Sequence, residues 1–252
     1  MGNNDILNFW NKQASLAEKA GSQDLLAKEV EVAALSRYIQ SGMKVCEFGC
    51  GSGTTAIEFA QRFDIRMDCF DFSPAMIEAA KLAATQAGVH LRIDFDVADV
   101  QVEPPLKDLY DVIYTERMLI NLQDWEAQSR AIRYLVSKLK PDGRLLLCEN
   151  SIQGLGKLNE LREMVGLEKI SPPWHNCYLD DAAVKRLCEY GLKLVAVDPF
   201  SSTYYILSRV VNAWLAKQEG LRPAYDSPVN RLALMLPSFG DCAQGKLWIF
   251  ER

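Results

Sequence analysis

Between Val45 and Ala60 the chain reads VCEFGCGSGTTAIEFA: an apolar run, three glycines on alternate positions, then an amphipathic tail. Val45, Cys46 and Phe48 read as a strand, while Ala56, Ile57, Phe59 and Ala60 follow the helical period. A backbone that turns from strand to helix this tightly, and comes close to another group, needs glycine at Gly49, Gly51 and Gly53. The same strand-to-helix step recurs along the chain. Strand 43–49 leads to helix 53–63, and strand 66–71 to helix 74–87, where Ser73-Pro74 supplies a cap and a first-turn proline. Strands 90–96 and 110–116 follow. Helix 124–139 carries Ile132, Leu135 and Leu139 on one face and stops at Pro141-Asp142-Gly143. The continuous apolar strand 144–149, RLLLCE, is that of a strand buried on both faces. Helix 180–190, strand 192–198 and an edge strand at 246–252 complete the series. This alternation predicts an α/β fold: a doubly wound, mostly parallel seven-stranded sheet with helices on both faces.

Three segments stand outside the rhythm of a single domain over residues 1–252. Residues 1–41 read as N-terminal helices, with Leu26, Val30, Ala33, Ala34 and Tyr38 at helical spacing; residues 42–150 are the core. Residues 151–178, with Gly154, Gly156, Pro172 and Pro173, read as an irregular insertion with a short helix. Residues 202–240 contain a helix at 203–218 whose Leu207, Val211, Trp214 and Leu215 read as core. Both insertions are expected to cap the carboxyl end of the sheet, where open α/β folds bind their ligands.

Bulk properties exclude several classes. No apolar run approaches the ~20 residues of a membrane span. The polar start lacks a secretion signal, and Ile6 stands where a myristoylation signal wants Ser or Thr. A soluble, cytoplasmic protein without membrane contact is expected. The seven cysteines form no C-x-x-C pair, so they read as reduced thiols, three of them (Cys46, Cys69, Cys148) inside strands. A net charge of −5 argues against nucleic acid. No His pair at helical spacing calls for a metal.

The glycines fit no phosphate loop, because no lysine follows them, and they fail the dinucleotide fingerprint, because Thr54 occupies the third glycine position. The pattern present is E-x-G-x-G-x-G, from Glu47 through Gly49, Gly51 and Gly53. With acids at the next two strand ends, it resembles the class I S-adenosylmethionine-dependent methyltransferases of small-molecule type. The resemblance covers residues 43–150 and extends to the last two strands. It implies that the glycine loop passes under the amino-acid end of S-adenosylmethionine and that S-adenosylhomocysteine is the product. Asp71, about twenty residues beyond the glycines, would accept from the ribose hydroxyls. Phe72 and Met76 would flank the adenine. Asp99, followed by Val100 in DVADV, would accept from its amino group. Thr115 falls in YTERMLINL, where the family places residues facing the transferred methyl, and Trp10 in FWNKQA would close over the cofactor.

The acceptor is less defined. SPPW at 171–174 fits the [DNS]-P-P-[YFW] motif of nucleic-acid amino methyltransferases, but that motif directly follows a sheet strand, and here helix and turn precede it. A kink positioning a lid is the plainer account. His90 reads as structural, so His175 is the candidate general base, with Glu116 at the end of strand four as a second. Tyr178, Tyr204, Tyr205 and Arg209 are candidate acceptor contacts, the arginine suiting an anionic group. The chain as a whole resembles bacterial methyltransferases of surface saccharides or small metabolites, which implies an oxygen on a small polar acceptor. Methyl transfer to nitrogen or nucleic acid, and a noncatalytic S-adenosylmethionine-binding module, stay open as alternatives.

Overall fold

The computed structural model describes residues 3–20, 22–106 and 108–252. Strands β1 (Lys44–Phe48), β2 (Arg66–Asp71), β3 (Ile93–Val97), β4 (Tyr110–Glu116), β5 (Leu139–Asn150), β6 (Lys193–Asp198) and β7 (Gly245–Glu251) form one sheet, ordered β3-β2-β1-β4-β5-β7-β6. Pairs from β3 through β5 are parallel, and β7 runs antiparallel to β5 and β6. Strand order reverses between β1 and β4, so a crevice opens there beyond the strands' carboxyl ends.

The last strand corrects an expectation. Residues 246–252 do not form an edge: β7 lies between β5 and β6, and its first six residues are buried. Leu247, Trp248, Ile249 and Phe250 form a contiguous apolar run, the same signature that marks β5 as covered on both faces. The edge is β6, whose residues are mostly exposed.

Ten helices accompany the strands among the described residues: α1 (Asn3–Gln13), α2 (Leu25–Ser36), α3 (Thr54–Arg62), α4 (Pro74–Gln86), α5 (Trp125–Ser137), α6 (Ile152–Met164), α7 (Asp181–Lys185), α8 (Ser202–Tyr205), α9 (Asn212–Gln218) and α10 (Pro228–Met235). On one face Val32 and Leu35 of α2, Phe59 of α3 and Ile77 of α4 pack with Val45, Met67, Tyr114 and Leu146. On the other, Ile132 and Leu135 of α5 and Val184 of α7 pack with Phe48, Ile113, Leu145, Leu147 and Trp248. Cys46, Cys69 and Cys148 are buried and unpaired within these layers. Helix starts follow their caps. Ser73 Oγ accepts from Met76 N at 3.2 Å and Asp124 Oδ1 from Ala127 N at 2.8 Å. Among the described residues, no helix is long and apolar enough to cross a membrane.

Three local readings change. Pro141-Asp142-Gly143 does not separate helix from strand. β5 begins at Leu139 and the four intervening residues bulge out of register between the Tyr110 and Val112 pairings. Residues 152–164 form a full helix rather than an irregular insertion, because Gly154 serves close packing, not helix breaking. A Cβ there would sit 1.8 Å from the Ala243 carbonyl oxygen. Third, α8 and α9 join through a π-helical segment, Ile206–Val211. A π turn inserts a residue and rotates everything after it by roughly 100° relative to an α-helical face. Val211, Trp214 and Leu215 are therefore exposed instead of core, while Ser208, Val210, Asn212 and Ala213 face inward. Ala33 is likewise exposed, and the buried α2 stripe runs through Ala27, Glu31, Val32, Ala34 and Leu35.

Candidate active site

The carboxyl ends of β1, β2, β4 and β5, covered by α1, α2 and the two insertions, enclose a cavity of about 340 Å³, within the range of small-molecule sites. Its floor is the glycine turn. Gly49 N and Cys50 N donate to Phe70 O at 2.7 and 3.0 Å, tying the turn to β2. Gly49 has φ +79°, and a Cβ there would meet the Met118 side chain at 2.3 Å. Gly51, at φ +53°, borders the cavity with nothing within 4 Å of an added Cβ, so its bare backbone faces open space. Gly53 does not line the cavity. It starts α3 and packs on Phe95 and Ala80, so its part is to turn the chain.

Asp71 stands at the end of β2, 7% exposed, with its carboxylate oxygens 2.9 Å from Gly51 N and Ser73 N. Burial pushes its pKa up to about 6 against the pull of those two N–H groups. Phe72, Met76, Asp99, Val100 and Trp10 all line the same cavity. Asp99 Oδ1 accepts from Gln101 N at 2.9 Å and so caps the short turn Val100–Val102. Helix α1 is held over this end by a 2.6 Å bond from Ser73 Oγ to Asn11 Oδ1. Trp10 Nε1 is buried without a hydrogen-bond partner among the described residues. Glu47 lies beneath, accepting from Tyr114 Oη at 2.8 Å. Burial, reinforced by the charge of Glu116, raises its pKa to about 8.

Glu116 is not placed to act as a base. Its Oε1 accepts from Lys28 Nζ at 2.5 Å and its Oε2 from Thr55 Oγ1 at 2.7 Å. Burial alone would raise its pKa, but Lys28 and Arg117 override burial and hold it below the ordinary carboxylate range. A carboxylate so held has little affinity for a proton. Arg117 Nε lies 3.3 Å from Glu31 Oε2, and Glu31 is pushed up, by burial first, with Glu116 adding and Arg117 opposing. Two residues of α2 and two at the end of β4 thus form one buried ion group. Thr115 also leaves the cavity: it is fully buried and donates to Glu149 Oε1 at 2.7 Å. Glu149 further accepts from Met118 N and Leu119 N at 3.1 and 3.0 Å, which shapes the loop after β4.

The cap loop 171–178 rests on that β4 loop. Cys177 N donates to Ile120 O at 2.6 Å, Asn176 Nδ2 to Asn121 Oδ1 at 3.1 Å, and Gln128 Nε2 to Cys177 O at 2.8 Å. Ser171 and Pro173 of SPPW line the cavity from this cap, but in the chain they follow α6 and an irregular stretch instead of a sheet strand, so the motif lacks its nucleic-acid setting. His175 reaches the cavity among Phe9, Trp10 and Trp174, with ring centroids 4.4, 5.9 and 5.2 Å away. Its Nδ1 is buried and has no protein partner among the described residues, and burial lowers its pKa. His90, by contrast, is exposed in the turn ahead of β3.

Tyr178, Tyr205 and Arg209 line the cavity; Tyr204 does not. Tyr204 Oη donates to Asp24 Oδ1 at 2.6 Å, and Arg209 Nη2 to Asp24 Oδ2 at 2.5 Å. Asp24 also caps α2 by accepting from Ala27 N at 3.1 Å. Tyr178 Oη accepts from Gln244 Nε2 at 3.0 Å, and Asn150 Oδ1 in the same wall is buried without a hydrogen-bond partner among the described residues. Sequence reasoning passed over Lys28, Asn150 and Gln244, all on the wall, and weighed Arg117 only as an ion-pair partner for Glu116. A legible signal existed for Asn150 alone, a polar residue at the strand end just beyond the apolar run Leu145–Cys148.

A family model for the methyltransferase domain matches residues 21–197, more than two thirds of the chain. Phosphoethanolamine N-methyltransferase 1 of Arabidopsis thaliana is 31% identical over 111 residues, covering 44% of this chain and 22% of its own. The 27-O-demethylrifamycin SV methyltransferase of Amycolatopsis mediterranei (strain S699) is 28% identical over 142 residues, covering 55% and 48%. The chain thus spans less than half the length of these curated relatives. Among solved structures, magnesium protoporphyrin IX methyltransferase from Synechocystis PCC 6803, with bound S-adenosylhomocysteine, superposes with a TM-score of 0.63 at 16% identity over 100% of both chains. With the motif Glu47-x-Gly49-x-Gly51-x-Gly53 at its switch point, the chain belongs to the methyltransferase-domain family, the class I S-adenosylmethionine-dependent methyltransferases.

Proposed function

We propose that this protein transfers a methyl group from S-adenosylmethionine to an oxygen of a small polar acceptor. The observation that carries the reading is a single cavity joining two unlike ends. One end is the acid-and-glycine floor of Glu47, Gly51, Asp71 and Asp99; the other is the cap with His175 and Tyr178. The residues fit the cofactor. Asp71 offers carboxylate oxygens for vicinal hydroxyls, Gly51 leaves room beside the backbone, and the surrounding acids suit a ligand with cationic groups. When bound, S-adenosylmethionine supplies a methyl group already activated on a sulfonium.

The chain's own work is alignment, exclusion of water and management of one proton. Helix α1 and the cap loop close the cavity with Trp10 and His175 in contact. Burial keeps the His175 imidazole uncharged at neutral pH, free to take the proton of an attacking hydroxyl. Asn150 Oδ1 and Tyr178 present polar groups to a hydroxylated acceptor. Cytoplasmic placement belongs to the same reading and is supported by seven unpaired cysteines.

Calorimetric titration with S-adenosylhomocysteine, with NADH as the control, tests the cofactor half. Saturable binding of the first alone is expected, and binding of NADH alone would return the chain to the dinucleotide enzymes. Asp71→Ala is expected to weaken S-adenosylhomocysteine by about 1.5–3 kcal/mol, the scale of hydrogen bonds to a charged group. An unchanged isotherm would show that Asp71 does not hold the nucleoside. For the acceptor half, His175→Ala is expected to slow transfer to a screened hydroxyl acceptor by on the order of 10²-fold, with cofactor affinity retained. Equal turnover would remove His175 as the base.

A further inference from the structure

Among the described residues, three cationic side chains line the cavity, each beside an acidic side chain. Lys28 is bonded to Glu116, Arg117 lies against Glu31, and Arg209 is bonded to Asp24. The Arg209 arrangement is the most complete. The π segment Ile206–Val211 sets its guanidinium over the rings of both Tyr205 and Tyr225, each centroid 5.0 Å from Cζ. Asp24, 2% exposed, partners its charge while also accepting from Tyr204 Oη and Ala27 N. An arginine over two rings and bonded to a buried acid already has its counter-charge and is not a waiting anion receptor.

Resting on the methyltransferase reading, we infer that the acceptor end of this cavity excludes anions, so that the acceptor is an uncharged hydroxyl compound without phosphate or carboxylate beside the reacting oxygen. A phosphate brought against Arg209 would set a second anion beside the Asp24 carboxylate, 2% exposed and already paired with that guanidinium, and like-charge repulsion in a buried setting opposes it. A neutral hydroxyl meets no such repulsion. It finds Asn150 Oδ1 without a donor, and Tyr178 Oη, whose acceptor role toward Gln244 leaves its proton to give. This replaces the expectation that Arg209 serves an anionic group.

The test uses inorganic phosphate as the probe, titrated in a phosphate-free buffer into protein saturated with S-adenosylhomocysteine. Asp24→Asn keeps a good helix cap and an oxygen for Tyr204 but removes the charge that occupies Arg209. The variant is expected to bind phosphate about 10–100-fold more tightly than wild type, on the scale of one charge-assisted hydrogen bond. Adding Arg209→Met to it should abolish the gain. Wild-type protein that binds phosphate as tightly as the variant overturns the inference. So does a variant that retains S-adenosylhomocysteine binding but gains no phosphate affinity. Failure of wild type to bind S-adenosylhomocysteine at all would instead remove the methyltransferase reading, and the first titration shows which has failed.

Discussion

Lys28→Met is expected to lower unfolding free energy by about 3–5 kcal/mol, the cost of leaving one member of a buried ion pair uncompensated. Lys28 bridges from α2 to the end of β4, and its partner Glu116 has a side chain only 2% exposed. The loss should depend on pH, with a sign that identifies its cause. In the wild type the folded pKa of Glu116 is depressed, so its contribution is present above the unfolded value and lost as pH falls through the folded one. Without Lys28, Arg117 is left to oppose burial and the folded pKa of Glu116 moves up, so the variant forfeits stability that the wild type gains as pH rises. Urea unfolding of both proteins should therefore show a gap that widens as pH rises from about 2 to about 4.5, between the folded and unfolded values of Glu116. A gap independent of pH would mean that Lys28 acts through its packed stem rather than its charge.

Gly154→Ala is expected to destabilise by about 3 kcal/mol or more, at the upper end of overpacking. An alanine inside a helix ordinarily gains up to about 1 kcal/mol over glycine, so propensity alone predicts the opposite sign. Here the added Cβ would sit 1.8 Å from the Ala243 carbonyl oxygen and 2.6 Å from its carbon. Both obstacles are backbone, and the segment cannot retreat. Ser151 N donates to Gln244 O at 2.7 Å, and the Asn150–Gly245 pairing follows immediately. Gly156, in the same helix, has nothing within 4 Å of an added Cβ. Gly156→Ala should be neutral or stabilising by up to about 1 kcal/mol. Thermal unfolding of the pair separates close packing from helix propensity, and equal behaviour would discard the packing account.

The strand-to-helix alternation, the glycine turn and the acids at three successive strand ends were legible because each is written in residues close together in the chain. Asp71, for instance, needs only the end of one apolar run to be located. The ion group was not legible, because Lys28 and Glu116 are 88 residues apart and neither segment alone marks its partner. Glu31 sits on the buried stripe of α2, where an apolar residue would read more naturally. Val211, Trp214 and Leu215 misled for a different reason. Their spacing is helical, but the π turn before them changes which face they occupy, and nothing in their own order records it. Tyr204 and Tyr205, adjacent in sequence, take opposite roles, one bonded to Asp24 and one on the cavity wall.

The place of β7 sets a schedule for biosynthesis. β6 pairs with β7 and with no other strand, and β5 has only β7 beyond it. While the ribosome adds residues 151–251 at about 5–20 residues per second, β5 leaves its outer edge open for roughly 5–20 s. Asn150, at the end of that open edge, and Gln244, just ahead of β7, both line the cavity, so its wall closes only when β7 docks. During that interval the nascent chain presents an apolar, unpaired strand of the kind that recruits holdase chaperones or neighbouring nascent chains. Binding of a nucleoside ligand to the growing chain would be delayed to the same moment.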